Sequence, residues 1–359
     1  MRDVEAAVVG IGPAGFFAAV ELARHATVAL IGRPPEAHPA PPRLELVPEA
    51  SLRWLQSLLG TVEGIEPFDE PRRVAWQHAD AETQPMRAAL VDRSVFDRSL
   101  LALLCGQREI SWELRRVGAV GPGPHVFGPL RARRVLDATG RASLTATRRL
   151  RLRRPFFGRS FAAPRPATVQ RGFALAALPE GYVVRIVSER HTVLTLFSSS
   201  SQARLLSRLP EMAQQAGAGF ILEGLPRWEQ FVAGPTLHAS VQASAGDSPR
   251  SGGNMPLRIG DAAFARDTLS SQGLASALAD AAYGAAVRSE FDARQLAARQ
   301  AAGLTHHLDT IAGLVGTCRY VERGCWRDYL DDIHLFRSDI GHFTRTLNDS
   351  SIARAEPLC

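Results

Sequence analysis

A chain of 359 residues, 45% hydrophobic and 22% charged, can bury a large core and is not the composition of a disordered protein. Its formal net charge is +6, and all 42 of its Lys+Arg residues are arginine. These are scattered, apart from runs at 131–134 and 148–154, and lack the aromatic interleaving of a single-strand binder; an anionic cofactor or acidic partner is expected rather than nucleic acid. In chain order, Ala6 to Val9 reads as a short apolar strand that breaks at Gly10-Ile11-Gly12-Pro13-Ala14-Gly15, and Phe16 to Ala23 then reads as a helix. Thr27 to Ile31 supplies a second apolar strand. Strand, G-x-G-x-x-G turn, helix, strand is the context in which this motif signals dinucleotide binding. Gly10 allows the tight turn, Gly12 the approach of a pyrophosphate, and Gly15 close helix–strand packing. Pro13 and Ala14 complete the turn, and the helix N-terminus after it would face phosphate oxygens with unpaired N–H groups and a positive dipole end. A glycine-rich turn in an unrelated parallel sheet is the alternative.

The second strand ends at Gly32-Arg33, where dinucleotide-binding folds place an acid for the adenosine ribose. A proline-rich loop follows to Pro42, then Leu44 to Ala50 with the lone acid Glu45, and a helix from Ser51 to Leu59 ending at Gly60. Arg72 to His78 reads as a strand carrying Trp76. Leu90 to Asp97 opens a helix with Ser94 as its N-cap and Leu100, Leu101, Leu103 and Leu104 on its core face. Val117 to Val126 suits a small hairpin, and Arg133 to Arg141 a strand running into a tight turn at Thr139-Gly140. From 151 to 241 the β-branched runs read as an antiparallel sheet, interrupted by a helix from Ser201 to Gly217. Ser244 to Asn254 is a loop returning the chain to the first domain. Leu257 to Phe264 contains Gly260-Asp261, and Ser271-Gln272-Gly273 precedes a helix from Ala275 to Glu290. Asp261 can accept a polyol hydroxyl, and the turn's N–H groups can stabilise negative charge. Ala293 to Cys318 is a further helix, and Tyr320 to Leu335 adds aromatics and acids.

Bland readings accompany several side chains. Trp76 and Trp326 are read as core aromatics before pocket residues. His306 and His307 point to different helix faces, so a shared metal is not expected. Asp331, Asp332 and His334 read as a solvated acidic helix end, and Asp267 as a cap for the turn after it. Cys105, Cys318, Cys325 and Cys359 form no C-x-x-C pair and hence no metal site or disulfide framework. Met1 to Glu5 is acidic where a secretory leader needs basic residues, and residues 6–20 are too short to span a bilayer. A soluble, cytoplasmic protein without membrane partners is expected.

Four motifs, in this order, resemble the FAD-dependent monooxygenases of the aromatic-hydroxylase and flavin-halogenase superfamily: Gly10 to Gly15, Val91-Asp92-Arg93 with Phe96-Asp97, Asp137 to Arg141, and Gly260-Asp261 with Ser271-Gln272-Gly273. The Ala-Thr-Gly-Arg and Ser-Ser-Gln-Gly strings are most similar to the flavoproteins that mature tryptophylquinone cofactors. The resemblance implies a Rossmann-like FAD-binding domain of glutathione-reductase type, formed discontinuously by 1–150 and 242–290. It also implies an antiparallel-sheet substrate domain at 151–241 and a helical C-terminal region at 291–359. By resemblance, FAD would be held by Gly10, Gly12, Pro13, Ala14, Gly15, Arg33, Arg93, Thr139, Gly140, Asp261, Ser271, Gln272 and Gly273. Glu45, Trp76, His78 and Gln272 would be the catalytic-pocket candidates.

The implied activity is aromatic hydroxylation by a reduced flavin and dioxygen through a flavin C4a-hydroperoxide. Its substrate would be a tryptophan side chain in a precursor protein or peptide. An FAD oxidase or dehydrogenase, a small-molecule hydroxylase, and a non-catalytic flavin-binding maturation partner remain the alternatives. Halogenases of this fold use a lysine in the tunnel and a Trp-x-Trp-x-Ile-Pro motif; this chain has no lysine and no second tryptophan beside Trp76. An Asp-Gly motif after the Ala-Thr-Gly turn is also absent, so electrons would come from NAD(P)H docked unusually or from a partner flavin reductase.

Overall fold

In the computed structural model the chain is described at residues 1–32, 42–60, 62–78, 80–114, 117, 125–153, 156–199, 202–238, 241–245, 256–270 and 273–352. It opens with β1 (Arg2–Val9), α1 (Pro13–Ala23) and β2 (Val28–Gly32). The last four residues of β1 and the first four of β2 are all buried, as a strand covered on both faces requires. Proline at the first position of α1 presets the helical φ where no backbone donor is needed. Next come β3 (Leu44–Pro48), α2 (Glu49–Leu59), β4 (Ile65–Phe68), β5 (Arg72–Ala75), β6 (Glu82–Gln84), β7 (Ala88–Asp92) and α3 (Arg93–Cys105). β7 lies between β3 and β4 in a small antiparallel sheet. The N-cap of α3 is Asp92, not Ser94: the Asp92 carboxylate accepts the Ser94 backbone N–H at 3.0 Å and the Ser94 hydroxyl at 2.5 Å. An acceptor two residues upstream satisfies the first-turn donors, which leaves Ser94 inside the helix.

β8 (Ile110–Leu114), β9 (His125–Phe127) and β10 (Leu130–Asp137) return to the first sheet. The expected hairpin at Val117 to Val126 falls mostly outside the described residues; β9, which starts at its end, pairs antiparallel with β10 instead. β11 (Arg148–Arg151), β12 (Phe157–Pro164), β13 (Gly172–Leu178), β14 (Gly181–Val187), β15 (His191–Ser198), α4 (Gln202–Gln215), β16 (Val232–His238) and β17 (Gln242–Ala245) follow. The chain closes with β18 (Leu257–Arg258), β19 (Phe264–Ala265), α5 (Gly273–Ala286), α6 (Glu290–Gly316) and α7 (Gly324–Ile352).

The first sheet runs β18-β10-β1-β2-β8, all parallel, with β9 added antiparallel beside β10. One face packs on α1 and α5 through Val8, Leu30, Leu136, Phe17 and Leu278. The other buries Val9, Ile31, Phe127 and Val135. A seven-stranded sheet runs β16-β12-β15-β14-β13-β5-β6. It is antiparallel except where β5 pairs parallel with β13, so residues 72–84 complete the sheet formed by 157–238. The expected strand at Arg72 to His78 stops at Ala75, and Trp76 turns into the core behind it. That core joins the sheet to α4, α6 and α7 through Tyr182, Leu209, Leu308 and Trp326. The Trp326 indole is wholly buried and donates to the Leu178 carbonyl at 2.8 Å. Among the described residues no helix is long and apolar enough to cross a membrane.

Candidate functional site

β1 runs to β2 on one side, and β10 lies on its other side. The carboxyl ends of β1 and β10 therefore flank a topological switch point, where open α/β sheets bind ligands. Gly10 has φ +112°, and a Cβ there would lie 2.3 Å from the Ala138 carbonyl oxygen. A Cβ on Gly15 would lie 2.0 Å from the Gly10 oxygen, so only glycine lets α1 and β10 approach this closely. Gly12 differs: its φ is −78° and ψ 176°, and a Cβ would meet no described atom within 4 Å. It faces open space at the start of α1, where among the described residues no side-chain cap or acid occupies the first turn. First-turn backbone donors, which have no intrahelical partner, beside a glycine whose Cβ position is open fit a pyrophosphate. Ala14 supports the crevice from below, since a Cβ on Gly260 would lie 2.8 Å from its methyl. The missing ribose acid has a steric cause: a Cβ on Gly32 would lie 2.4 Å from Ile11 Cγ1.

The turn after β10 is built on a buried carboxylate, Asp137, to which the motif alone gives no role. Asp137 is fully buried and accepts four hydrogen bonds, from the Thr139 N–H (3.0 Å) and hydroxyl (2.6 Å) and from the Thr145 N–H and hydroxyl (both 2.8 Å). The Thr139 hydroxyl also accepts the Leu144 N–H at 3.2 Å. These bonds spend Thr139 on the loop and leave Gly140, at φ +63° with no described atom within 4 Å of its Cβ position, on the open side. Asp261 stands in the turn after β18. Burial raises its pKa, opposed mainly by Arg141. Asp280 of α5 holds that turn, accepting the Gly260 N–H and the Gln300 amide, each at 3.1 Å. Burial pushes Asp280 up to about 6 against the pull of Arg266.

Glu45 and Arg93 meet across β3 and α3. Arg93 donates to Glu45 at 3.1 Å and, through two nitrogens, to Asp97 at 3.1 Å. Arg43 adds a 2.8 Å ion pair to Glu45. Burial opposes the charge on Glu45, but the two guanidiniums outweigh it and hold the carboxyl below its ordinary range. Arg93 is raised despite burial, by Glu45 and Asp97. Asp261 feels Arg141, Glu45, Arg43 and Arg93 together, so these charges border one polar region. Glu45 is therefore neither lone nor freely solvated.

Beside that region a cleft of about 460 Å³ opens between β3 and the seven-stranded sheet. Leu46, Val74, Met86 and Leu175 give it apolar walls, with Leu269 and Leu314 closing it from the C-terminal half. Trp76 and His78 both line it. Trp76 is anchored: it is 6% exposed, donates to the Leu314 carbonyl at 2.6 Å and meets Trp326 edge-on. His78 is at the exposed rim, where its carbonyl accepts from Arg319. Trp326 lies in the core behind, not in the cleft. Gly273 begins α5, and a Cβ there would meet no described atom within 4 Å. Arg33, Ser271 and Gln272 lie outside the described residues.

One bland reading changes. Asp332 is not solvated: it is 5% exposed in the middle of α7. His307 is fully buried, and its Nε2 accepts the Asp267 backbone N–H at 2.9 Å. Asp267 does cap its turn, accepting the Leu269 N–H at 2.8 Å. Among the described residues no group of three or more His, Cys, Asp or Glu side chains is placed to hold a metal ion.

No family model matches the chain, and no curated protein matches it. Solved structures do. The peptidyl tryptophan dihydroxylase QhpG, essential for tryptophylquinone cofactor biogenesis, is 20% identical with a TM-score of 0.69, over 91% of this chain and 79% of that one. The myxobacterial FAD-dependent chondrochloren halogenase CndH is 17% identical with a TM-score of 0.70, over 92% and 86%. PqsL of P. aeruginosa, in complex with 2-aminobenzoylacetate, is 15% identical with a TM-score of 0.66, over 93% and 100%. The shared feature is the fold: a Rossmann-like parallel sheet joined to a second large sheet, as in these flavoproteins.

Proposed function

We propose that the chain is an FAD-dependent monooxygenase that hydroxylates an aromatic ring, most specifically a tryptophan side chain in a precursor protein or peptide. The observation that carries the reading is the open position at Gly12, in a crevice that is otherwise closed to any side chain at Gly10 and Gly15. A dinucleotide's phosphates fit that opening, and the four-motif resemblance together with the shared fold favours FAD over NAD. Gly12, Pro13 and Ala14 would hold the pyrophosphate, Asp261 the ribityl hydroxyls, and Gly140 and Gly273 would border the ring. The bound flavin supplies reduction of dioxygen and transfer of one oxygen atom, chemistry beyond the reach of side chains alone.

The protein's contribution is position and an apolar wall. The Glu45–Arg93–Asp97 bridge fixes β3 against α3, so the cleft wall at Leu46 keeps its place beside the polar region. The apolar wall of Leu46, Val74, Met86 and Leu175 would pack against the substrate ring, while Arg72, Asp80, Glu82 and Arg87 line the rest of the cleft. Trp76, locked by Leu314, supplies a rigid aromatic wall, and His78 at the rim is free to meet the flank of a larger substrate. An electron-rich indole needs little general-base help, so the reading does not depend on a carboxylate or histidine of the cleft acting as a base. The tryptophan substrate rests on the family resemblance and on the likeness to the peptidyl tryptophan dihydroxylase. The domain division at 1–150 with 242–290, 151–241 and 291–359 belongs to the same proposal, with β5 and β6 joining the sheet of the second unit, as do a reductase or NAD(P)H as electron source and a soluble location in the cytoplasm.

Gentle purification followed by denaturation and chromatography tests the cofactor. One FAD per chain supports the reading, and a colourless protein that takes up no added FAD refutes it. Conversion of an aromatic substrate to its oxygenated product separates hydroxylation from an oxidase, which would release hydrogen peroxide and leave the ring unchanged.

A further inference from the structure

The segment from Arg266 to Leu269 lies between the two halves of the site. On one side Arg141, the charge that opposes the raised pKa of Asp261, donates to the Arg266 carbonyl at 3.3 Å. On the other side Leu269 forms part of the cleft wall. Three buried groups from distant parts of the chain hold this segment. The Asp267 carboxylate accepts the Leu269 N–H at 2.8 Å and the Tyr329 hydroxyl of α7. His307 of α6 accepts the Asp267 N–H at 2.9 Å. Tyr182 of β14 places its hydroxyl 3.2 Å from that of Thr268. Asp267, Tyr182 and Tyr329 are each 1% exposed and His307 is 0% exposed.

Turn capping needs only the Leu269 bond. A carboxylate buried this completely costs free energy that an exposed Asx turn avoids, and apolar packing would hold α6 and α7 without polar partners. The partners converge instead on the stretch that leads to Gly273 and the start of α5. We infer that Asp267 is a positioning residue: clamped by Tyr329 and His307, it sets where the flavin ring stands relative to the cleft. The inference rests on the reading of the crevice as a flavin site. The protonation pattern agrees with the geometry. Burial lowers His307 to about 3, with Arg266 and His306 adding to the effect, so it is a neutral acceptor. Burial raises Asp267 to about 6, with the Tyr329 hydroxyl as the main opposing influence.

The test uses the full-length protein as Asp267→Asn and Tyr329→Phe. Met212→Ala serves as a control, since Met212 is buried in the same core and has no part in the clamp. Three quantities are read: the melting temperature, the FAD dissociation constant of reconstituted apoprotein, and the rate at which the reduced flavin is reoxidised in air-saturated buffer. Both clamp variants are expected to change the reoxidation rate at least threefold, while the double variant does no more than the stronger single one. Met212→Ala lowers the melting temperature and leaves the flavin readings unchanged. Folded clamp variants whose FAD affinity and reoxidation rate match wild type within error overturn the inference and leave the flavin site standing. A wild-type protein that binds no FAD overturns both.

Discussion

Gly12 and Gly15 occupy one turn, yet substitution should separate their roles cleanly. At Gly12 the backbone (φ −78°, ψ 176°) suits any residue, and a new Cβ meets no described atom within 4 Å. Gly12→Val forfeits a helix-capping preference worth about 1 kcal/mol. Lower unfolded-state entropy returns about 0.4–1 kcal/mol of that. The melting temperature should therefore move by no more than about 2–4 °C. A branched side chain in the phosphate approach should nevertheless weaken FAD at least about 100-fold, equivalent to about 2.8 kcal/mol. Gly15→Ala should do the reverse. Its Cβ would stand 2.0 Å from the Gly10 carbonyl oxygen, and backbone cannot yield as a side chain can. The cost of that overpacking is about 1–3 kcal/mol or more. Circular-dichroism melts and fluorescence titration of FAD into apoprotein measure both effects. Gly12→Val that binds FAD with wild-type affinity would refute the placement of the pyrophosphate; Gly12→Val that fails to fold would refute the open crevice.

Asp261→Ala should weaken FAD about tenfold, consistent with loss of a hydrogen bond to a charged group, with the circular-dichroism spectrum unchanged; unaltered affinity would remove its ribityl role. Asp137→Ala should cost about 2–4 kcal/mol, because the buried donors of Thr145 and the half-buried donors of Thr139 lose their acceptor; chemical denaturation reads this directly. Asp280 is raised to about 6 in the fold from an ordinary 3.8, so its protonated form is favoured by folding. Its contribution is fullest below about pH 4 and is lost as pH rises through about 6. His307, lowered to about 3, acts in the opposite sense, and its contribution is lost as pH falls from about 6.5. Asp280→Asn should therefore lose stability on acidification between about pH 6 and 4 more steeply than wild type, by at most about 1.4 kcal/mol per pH unit. Equal slopes in urea titrations at several pH values would contradict this.

The first strand, turn, helix and second strand are legible because their signals are local. Glycines at fixed spacing and an apolar run of the right length need no knowledge of the rest of the chain. The absence of a ribose acid is visible as Gly32, but its cause is not, since Ile11 fills that space only after the turn has folded. The parallel pairing of β5 with β13 joins residues about a hundred positions apart, and no periodicity in either strand announces it. Asp280, and the structural roles of Asp137 and His307, are illegible for a related reason. A buried polar group is recognised by its partners, and theirs arrive from as far as 40 residues away. Asp332 shows the same limit in reverse: charge in a sequence reads as solvent exposure, while helix packing buried this one.

Mass spectrometry of a tryptophan-bearing precursor, incubated with the FAD-loaded protein, a flavin reductant and isotopically heavy dioxygen, tests the proposed activity most directly. Monooxygenation predicts one or more heavy oxygen atoms on a single tryptophan, dependent on both flavin and reductant. Complete flavin turnover, with hydrogen peroxide formed and no heavy oxygen on any tryptophan, would contradict it.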